Sequence, residues 1–120
     1  MMIVATDLPL SNRLLNRIAK RATLGMARAG GSGGHGSGDY VIAFSTTYRT
    51  PDAMAAPRQA LAENESAIDV VFQAVADATE EAILNSLFRA HTVVGRDGNT
   101  RQAIPLDGVL ERLRRAGRLA

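Results

Sequence analysis

The chain has 120 residues and a net charge of +2, with 46% hydrophobic residues but only 4% aromatic ones and no tryptophan. This length predicts a single domain, residues 1–120, whose core is built mainly from aliphatic side chains. Because cysteine is absent from the sequence, disulfides, thiol catalysis and cysteine-ligated metals are excluded.

Basic residues are most concentrated in the C-terminal tail, at Arg112, Arg114, Arg115 and Arg118. A nucleic-acid surface normally needs more phosphate contacts, together with aromatic side chains where it binds single strands, so we expect no nucleic-acid partner. No apolar run approaches the ~20 residues of a membrane span, and the N-terminus lacks the pattern of a signal peptide. We therefore expect a soluble, cytoplasmic protein that does not bind membranes.

The first part of the chain predicts a strand, a helix and a second strand. Met1–Ala5 is a short apolar run that suits a strand. Ser11 is a suitable N-cap for an amphipathic helix that ends near Ala29–Gly30. A glycine-rich segment at residues 30–38 follows, and Val41–Phe44 then predicts a buried strand.

The second part predicts a loop and two helices. The loop, at residues 48–66, shows no clear period. A long helix is expected from about Ala67 to Ala90, with a core stripe formed by Ile68, Val71, Phe72, Val75, Ala82, Ile83 and Leu87. A turn at Gly95–Asn99 and a short helix that ends near Ala116 complete the chain. This order of elements predicts an α+β protein.

The glycine-rich segment has three interpretations. A phosphate-binding loop is excluded, because such loops run from a strand into a helix and this segment runs from a helix into a strand. A flexible surface loop and a backbone that approaches a reacting centre both remain open. The second is favoured by Ser37 and Asp39 at the exit of the segment, because a bend at Gly38 allows the carboxylate to polarise the hydroxyl, which can then relay a proton.

The other titratable residues give weaker signals. His35 lies between glycines, as is typical of a solvated loop residue, and His91 suits a capping cation after the long helix. Two histidines without ligand spacing do not predict a metal site. Glu80 and Glu81 lie on adjacent faces of a helix and so are not a facing pair of carboxylates.

Four blocks of sequence resemble a known family. They are MMIVATDLPL at 1–10, RIAKRATLGMAR at 17–28, SGDYVIAFST at 37–46 and ATEEAILNSL at 78–87. Together they resemble the small subunit of the L-aminopeptidase/D-esterase-amidase (DmpA-like) family, which includes β-aminopeptidases and a pantetheine hydrolase. The blocks follow the family order along nearly the whole chain.

The resemblance implies part of a four-layer αββα sandwich, completed by a separate α-subunit. The family precursor cuts its own backbone and exposes a Ser or Thr as the first residue of the small, C-terminal subunit. That residue is the nucleophile, and its α-amine, with an intrinsic pKa of about 8, assists proton transfer. By the same resemblance, Ser37 is the proton-relay hydroxyl and Asp39 the carboxylate that orients or activates it.

The family spacing places the nucleophile about two positions before Met1, whereas the sequence begins Met1-Met2. Three explanations remain open: a modified residue at that position, a start at an internal methionine, or a truncated relative without hydrolytic activity. Without the nucleophile and the large subunit, we expect no catalysis by this polypeptide.

The function implied by the resemblance is amide hydrolysis through an acyl-enzyme, without a metal or organic cofactor. The expected substrates are short peptides, β-amino acid amides or pantetheine-like amides. The expected partners are a larger α-subunit from the same precursor and further copies of the heterodimer, which form a tetramer in the family manner. The alternative is a non-catalytic structural or binding module that keeps the fold without the nucleophile.

Overall fold

The computed structural model describes residues 1–47 and 66–119, so all but the last residue of the loop predicted at 48–66 lies outside the described residues. The chain divides into two compact units, Met1–Ala82 and Ile83–Ala120. Its elements in chain order are β1 (Met2–Thr6), α1 (Asn12–Arg28), β2 (Val41–Ser45), α2 (Ala67–Phe88), β3 (Val93–Val94), a 3₁₀ turn (Arg96–Gly98), β4 (Thr100–Arg101) and α3 (Leu106–Arg115).

Strands β1 and β2 pair in parallel, in a register that runs from Met2 opposite Val41 to Thr6 opposite Ser45. Parallel neighbours need a crossover connection, and α1 provides it. Both strands predicted from the sequence are therefore confirmed.

The two faces of this sheet differ in exposure. Side chains facing the helices, such as Val4 and Ala43, are half-buried and pack against the core. On the opposite face, Ile3, Ile42 and Phe44 are 62%, 50% and 44% exposed. We call these three residues the open sheet face. The sequence predicted that β2 is buried, and this prediction is wrong. The error arose because an apolar run without alternation resembles a strand that is covered on both sides.

Helix α1 begins and ends where the sequence predicts. The Ser11 hydroxyl accepts the Leu14 N–H at 3.2 Å, which satisfies one free donor of the first turn. At the other end Gly30 adopts a φ of 97°, and its N–H donates to the Ala27 carbonyl at 3.0 Å. Glycine adopts this left-handed conformation without steric cost and so terminates the helix.

The core of the first unit lies between the two long helices and the sheet. Its buried members are Leu10, Leu14, Ile18, Ala22, Ile68, Phe72 and Val75. The predicted stripe of α2 is therefore correct for Ile68, Phe72 and Val75. It is wrong for Ala82 and Leu87, which are exposed, because periodicity identifies the apolar side of a helix but not what covers it.

Several arginines of α1 pack against α2. The guanidinium carbons of Arg17 and Arg21 lie 4.9 and 4.3 Å from the ring centre of Phe72, within the range of cation–π contacts. Arg28 forms an ion pair with Asp77 at 2.5 Å. Because both partners are largely exposed, this pair contributes at most about 1 kcal/mol to stability. These basic side chains thus help to hold the two helices together.

The second unit contains a small hairpin and the last helix. Strands β3 and β4 are antiparallel, with Val93 opposite Arg101 and Val94 opposite Thr100. The predicted turn at Gly95–Asn99 is confirmed, with Asp97 at a φ of 59°. The sequence did not predict the flanking strands, since two residues are too few to show alternation. Within residues 1–47 and 66–119, no helix is long and apolar enough to cross a membrane.

Replacing Gly25 by alanine should destabilise the protein. The new Cβ would lie 2.3 Å from the Ala76 carbonyl oxygen and 2.7 Å from the Thr79 Cβ, so the helices would have to move apart. Overpacking of this kind costs about 1–3 kcal/mol, more than the gain of up to about 1 kcal/mol from replacing glycine within a helix. Chemical unfolding followed by circular dichroism would measure the change.

Gly108→Ala is the matched control for this substitution. Gly108 also lies in a helix, but an added Cβ there meets no atom within 4 Å, so the free energy of unfolding should not fall. Equal or greater stability of Gly25→Ala relative to the wild type would contradict the close packing of α1 on α2.

The isolated 120-residue chain should bind a hydrophobic dye and tend to aggregate, because the open sheet face leaves large apolar side chains in water. The double variant Ile42→Thr/Phe44→Thr should reduce dye fluorescence, since threonine suits a strand but is polar. Val70→Thr replaces a single apolar residue of α2 that is 70% exposed, and it should change the signal little. A chain that stays monomeric at high concentration and binds no dye would contradict the prediction.

Candidate functional site

The site predicted from Ser37 and Asp39 lies where β1 and β2 begin. The Met2 N–H donates to the Tyr40 carbonyl at 2.8 Å, so the pairing of the two strands extends beyond Val41 to Tyr40. Neighbouring strands are about 4.8 Å apart. The start of the first strand and the exit of the glycine-rich segment are therefore side by side.

Ser37 and Asp39 are in direct contact. The Ser37 hydroxyl donates to Oδ2 of Asp39. The Ser37 N–H donates to the Gly34 carbonyl at 2.8 Å and closes a turn that holds the serine backbone. A carboxylate is a strong acceptor, so the bond gives the hydroxyl proton a preferred direction. The hydroxyl oxygen keeps lone pairs for a second proton donor, which is the arrangement that a proton relay needs.

Both side chains of this pair are exposed in the described structure, as is most of the glycine-rich segment that precedes them. A Cβ added at Gly33, Gly34 or Gly36 would meet no atom within 4 Å. Within the described residues, these glycines therefore provide conformational freedom and not room for a neighbouring group. Gly38 differs, because its added Cβ would lie 3.6 Å from Cε2 of Tyr40.

The remaining candidates do not join this pair. His35 and His91 are exposed. Glu80 lies on α2, and its carboxylate is 3.8 Å from a guanidinium nitrogen of Arg28. No group of three or more histidine and acidic residues that could hold a metal ion is found in the part of the chain that the structure describes.

Hydroxyl side chains at the far end of the sheet were not predicted from the sequence. The Ser45 hydroxyl donates to the Leu8 carbonyl at 2.7 Å, and the Thr46 N–H donates to the Thr6 carbonyl at 2.8 Å. These bonds attach the end of β2 to the last residue of β1 and to the segment that follows it. The available signal was the run Ser-Thr-Thr directly after an apolar strand, since such residues often bind nearby backbone groups.

The fold places the chain in the class of N-terminal-nucleophile hydrolase folds. A solved L-aminopeptidase D-Ala-esterase/amidase from Ochrobactrum anthropi, described as a new variant of that fold, superposes with a TM-score of 0.79 at 38% identity, covering 98% of this chain and 34% of that one. The PH0078 protein from Pyrococcus horikoshii OT3 superposes with a TM-score of 0.84 at 45% identity, covering 98% of this chain and 34% of that one. The predicted α+β fold class is confirmed.

Residues 1–101 match the model of Peptidase family S58, and the chain belongs to this family. It is 38% identical over 117 residues to the β-peptidyl aminopeptidase BapA of Sphingosinicella microcystinivorans, covering 94% of this chain and 30% of the relative. It is 36% identical over 110 residues to the BapA of Sphingosinicella xenopeptidilytica, covering 89% of this chain and 27% of the relative. The predicted resemblance is thus confirmed, and the chain spans under a third of the length of these curated relatives.

Proposed function

We propose that this chain is the small, C-terminal subunit of an N-terminal-nucleophile aminopeptidase or amidase. The observation that carries the proposal is the parallel pairing of β1 with β2, which brings the start of the first strand beside Tyr40, the residue that follows the bonded pair of Ser37 and Asp39 in sequence. Membership of Peptidase family S58 supports it. So do the names of the relatives, which are a β-peptidyl aminopeptidase and an L-aminopeptidase D-Ala-esterase/amidase.

In the proposed enzyme the nucleophile is a Ser or Thr about two positions before Met1, freed by self-cleavage of a precursor. Its hydroxyl oxygen bonds to the carbonyl carbon of the substrate while its proton passes to a base, for which its own α-amine is suited. The C–N bond then breaks, and the leaving amine takes up the proton. Water hydrolyses the resulting ester and restores the hydroxyl.

Ser37 and Asp39 assist these proton transfers in the proposed mechanism. The Asp39 carboxylate holds the Ser37 hydroxyl in one direction, which leaves the Ser37 oxygen free to accept a hydrogen bond from the nucleophile or its amine. In the proposed mechanism, neither formation of the ester nor its hydrolysis uses a metal or an organic cofactor. Ser37 thus acts as the relay, and Asp39 orients and polarises it.

The rest of the proposed enzyme is a larger α-subunit cut from the same precursor. This is supported by the length of the relatives, since the chain covers 34% of each solved structure described above. We further propose that the heterodimers assemble into a tetramer. The proposed substrates are amides of short peptides and β-amino acids, the classes closest to the relatives' names, with pantetheine-like amides as a further candidate.

Intact-mass analysis of the protein from its native source should show two chains, the smaller with a Ser or Thr ahead of Met1. The same material should hydrolyse aminoacyl p-nitroanilides. A lone chain that begins at Met1 and hydrolyses no amide would contradict the proposal and favour a non-catalytic module with the same fold.

Asp39→Ala in the complete enzyme should lower kcat by ~10²-fold or more, the scale of a positioned acid–base group. Steady-state kinetics on one aminoacyl anilide would measure it. Asp97→Asn is the control, because Asp97 lies in the hairpin turn of the second unit and asparagine tolerates its positive φ. It should leave kcat close to the wild type. An unchanged kcat for Asp39→Ala would remove Asp39 from the site.

A further inference from the structure

Tyr40 lies next to the proposed relay, yet its side chain has no part in the mechanism described above. Its backbone carbonyl accepts the Met2 N–H at 2.8 Å, which fixes the residue beside the start of β1. Its side chain is not needed for packing, since the residue is 70% exposed. A large aromatic side chain is thus held in water at the edge of the candidate site.

Tyr40 lies on the same side of the sheet as the open sheet face. Side chains alternate along a strand, so residue 40 shares a side with Ile42 and Phe44, which are 50% and 44% exposed. The alternate residues Val41 and Ala43 face the core instead. The ring therefore belongs to the face that the helices do not cover.

The Tyr40 ring lies against Gly38, the residue between Ser37 and Asp39. Its Cε2 lies 3.6 Å from the position that a Cβ of Gly38 would occupy, which is ordinary van der Waals contact. The ring and the glycine together present an apolar surface.

The Met2 N–H bond to the Tyr40 carbonyl sets the start of β1 beside Tyr40. This step rests on the proposed function, which puts the nucleophile two positions before Met1 and beside Ser37 and Asp39. Because the Tyr40 ring lies against Gly38, the residue between Ser37 and Asp39, an acyl group on that nucleophile would lie close to the ring.

We propose that Tyr40 is a specificity-determining residue, whose ring contacts an apolar substituent on the acyl side of the scissile amide. An aromatic ring offers a large, rigid apolar surface, and contact with it favours an apolar side chain over a hydrogen atom. The residue takes no part in proton transfer. It selects which substrates are presented to the nucleophile.

The test compares Tyr40→Ala, Tyr40→Phe and wild type in the complete enzyme. One series of p-nitroanilides varies the acyl side from glycine to leucine. A second series, of leucine amides, keeps the acyl side and varies the leaving amine. Tyr40→Ala should lower the leucine-to-glycine ratio of kcat/KM about tenfold, as expected for loss of an apolar contact in an enzyme pocket. The glycine substrate should change by less than about twofold, which also shows that the variant is folded. Tyr40→Phe keeps the ring and should keep the ratio.

Ile42→Ala is the matched control, since it removes an apolar side chain from the same face two residues further along β2. A similar fall in the leucine-to-glycine ratio for Ile42→Ala would overturn the inference. A uniform loss of kcat/KM on all substrates, or a change that follows the leaving amine, would also overturn it. So would equal effects of Tyr40→Phe and Tyr40→Ala. If Tyr40→Ala does not assemble, Tyr40→Thr, which suits a strand, takes its place. A wild type without amide hydrolysis would overturn the proposed function itself, whereas an active wild type with an unresponsive ratio would overturn this inference alone.

Discussion

The parallel pairing of β1 and β2 is the constraint on which the candidate site depends. A slip of one residue would move every side chain of a strand to the opposite face of the sheet. The register is held near both ends, by the Met2 N–H on the Tyr40 carbonyl and by the Thr46 N–H on the Thr6 carbonyl. Residues separated by the whole of α1 and the glycine-rich segment thereby become neighbours. The position of the start of the chain relative to Ser37 and Asp39 follows from this pairing and not from any local motif.

The helices support this pairing from one side only. Leu14 and Ile18 of α1 belong to the buried core against which the half-buried side of the strands packs, and the other side of the sheet is open. A two-stranded sheet is marginal by itself and needs further strands or a second layer. The asymmetry agrees with the proposed role as one subunit of a longer protein, because Ile42 and Phe44 would be costly to leave in water. The same asymmetry puts Tyr40 on the face where a substrate could be bound.

Local chemistry made part of this structure predictable. Ser11 and Gly30 mark the ends of α1 because capping and a left-handed φ depend on a few adjacent residues. The contact between Ser37 and Asp39 was predictable for the same reason, since the two residues are separated only by Gly38. The exposure of Ile42 could not be predicted, because it depends on which elements cover the sheet. The direction of the Tyr40 ring could not be predicted either, because it depends on the space left by a glycine and not on a periodic pattern.

The exposure of the pair explains why the bond between Ser37 and Asp39 is a necessary element of the proposed site but not a sufficient one. In water, solvent competes for both the hydroxyl and the carboxylate, so a hydrogen bond between exposed groups directs a proton only weakly. The same bond becomes electrostatically stronger once water is displaced, since the local dielectric constant falls. In the proposed enzyme, displacing water from Ser37 and Asp39 would therefore strengthen the relay, because the carboxylate would then compete with fewer solvent molecules for the serine proton.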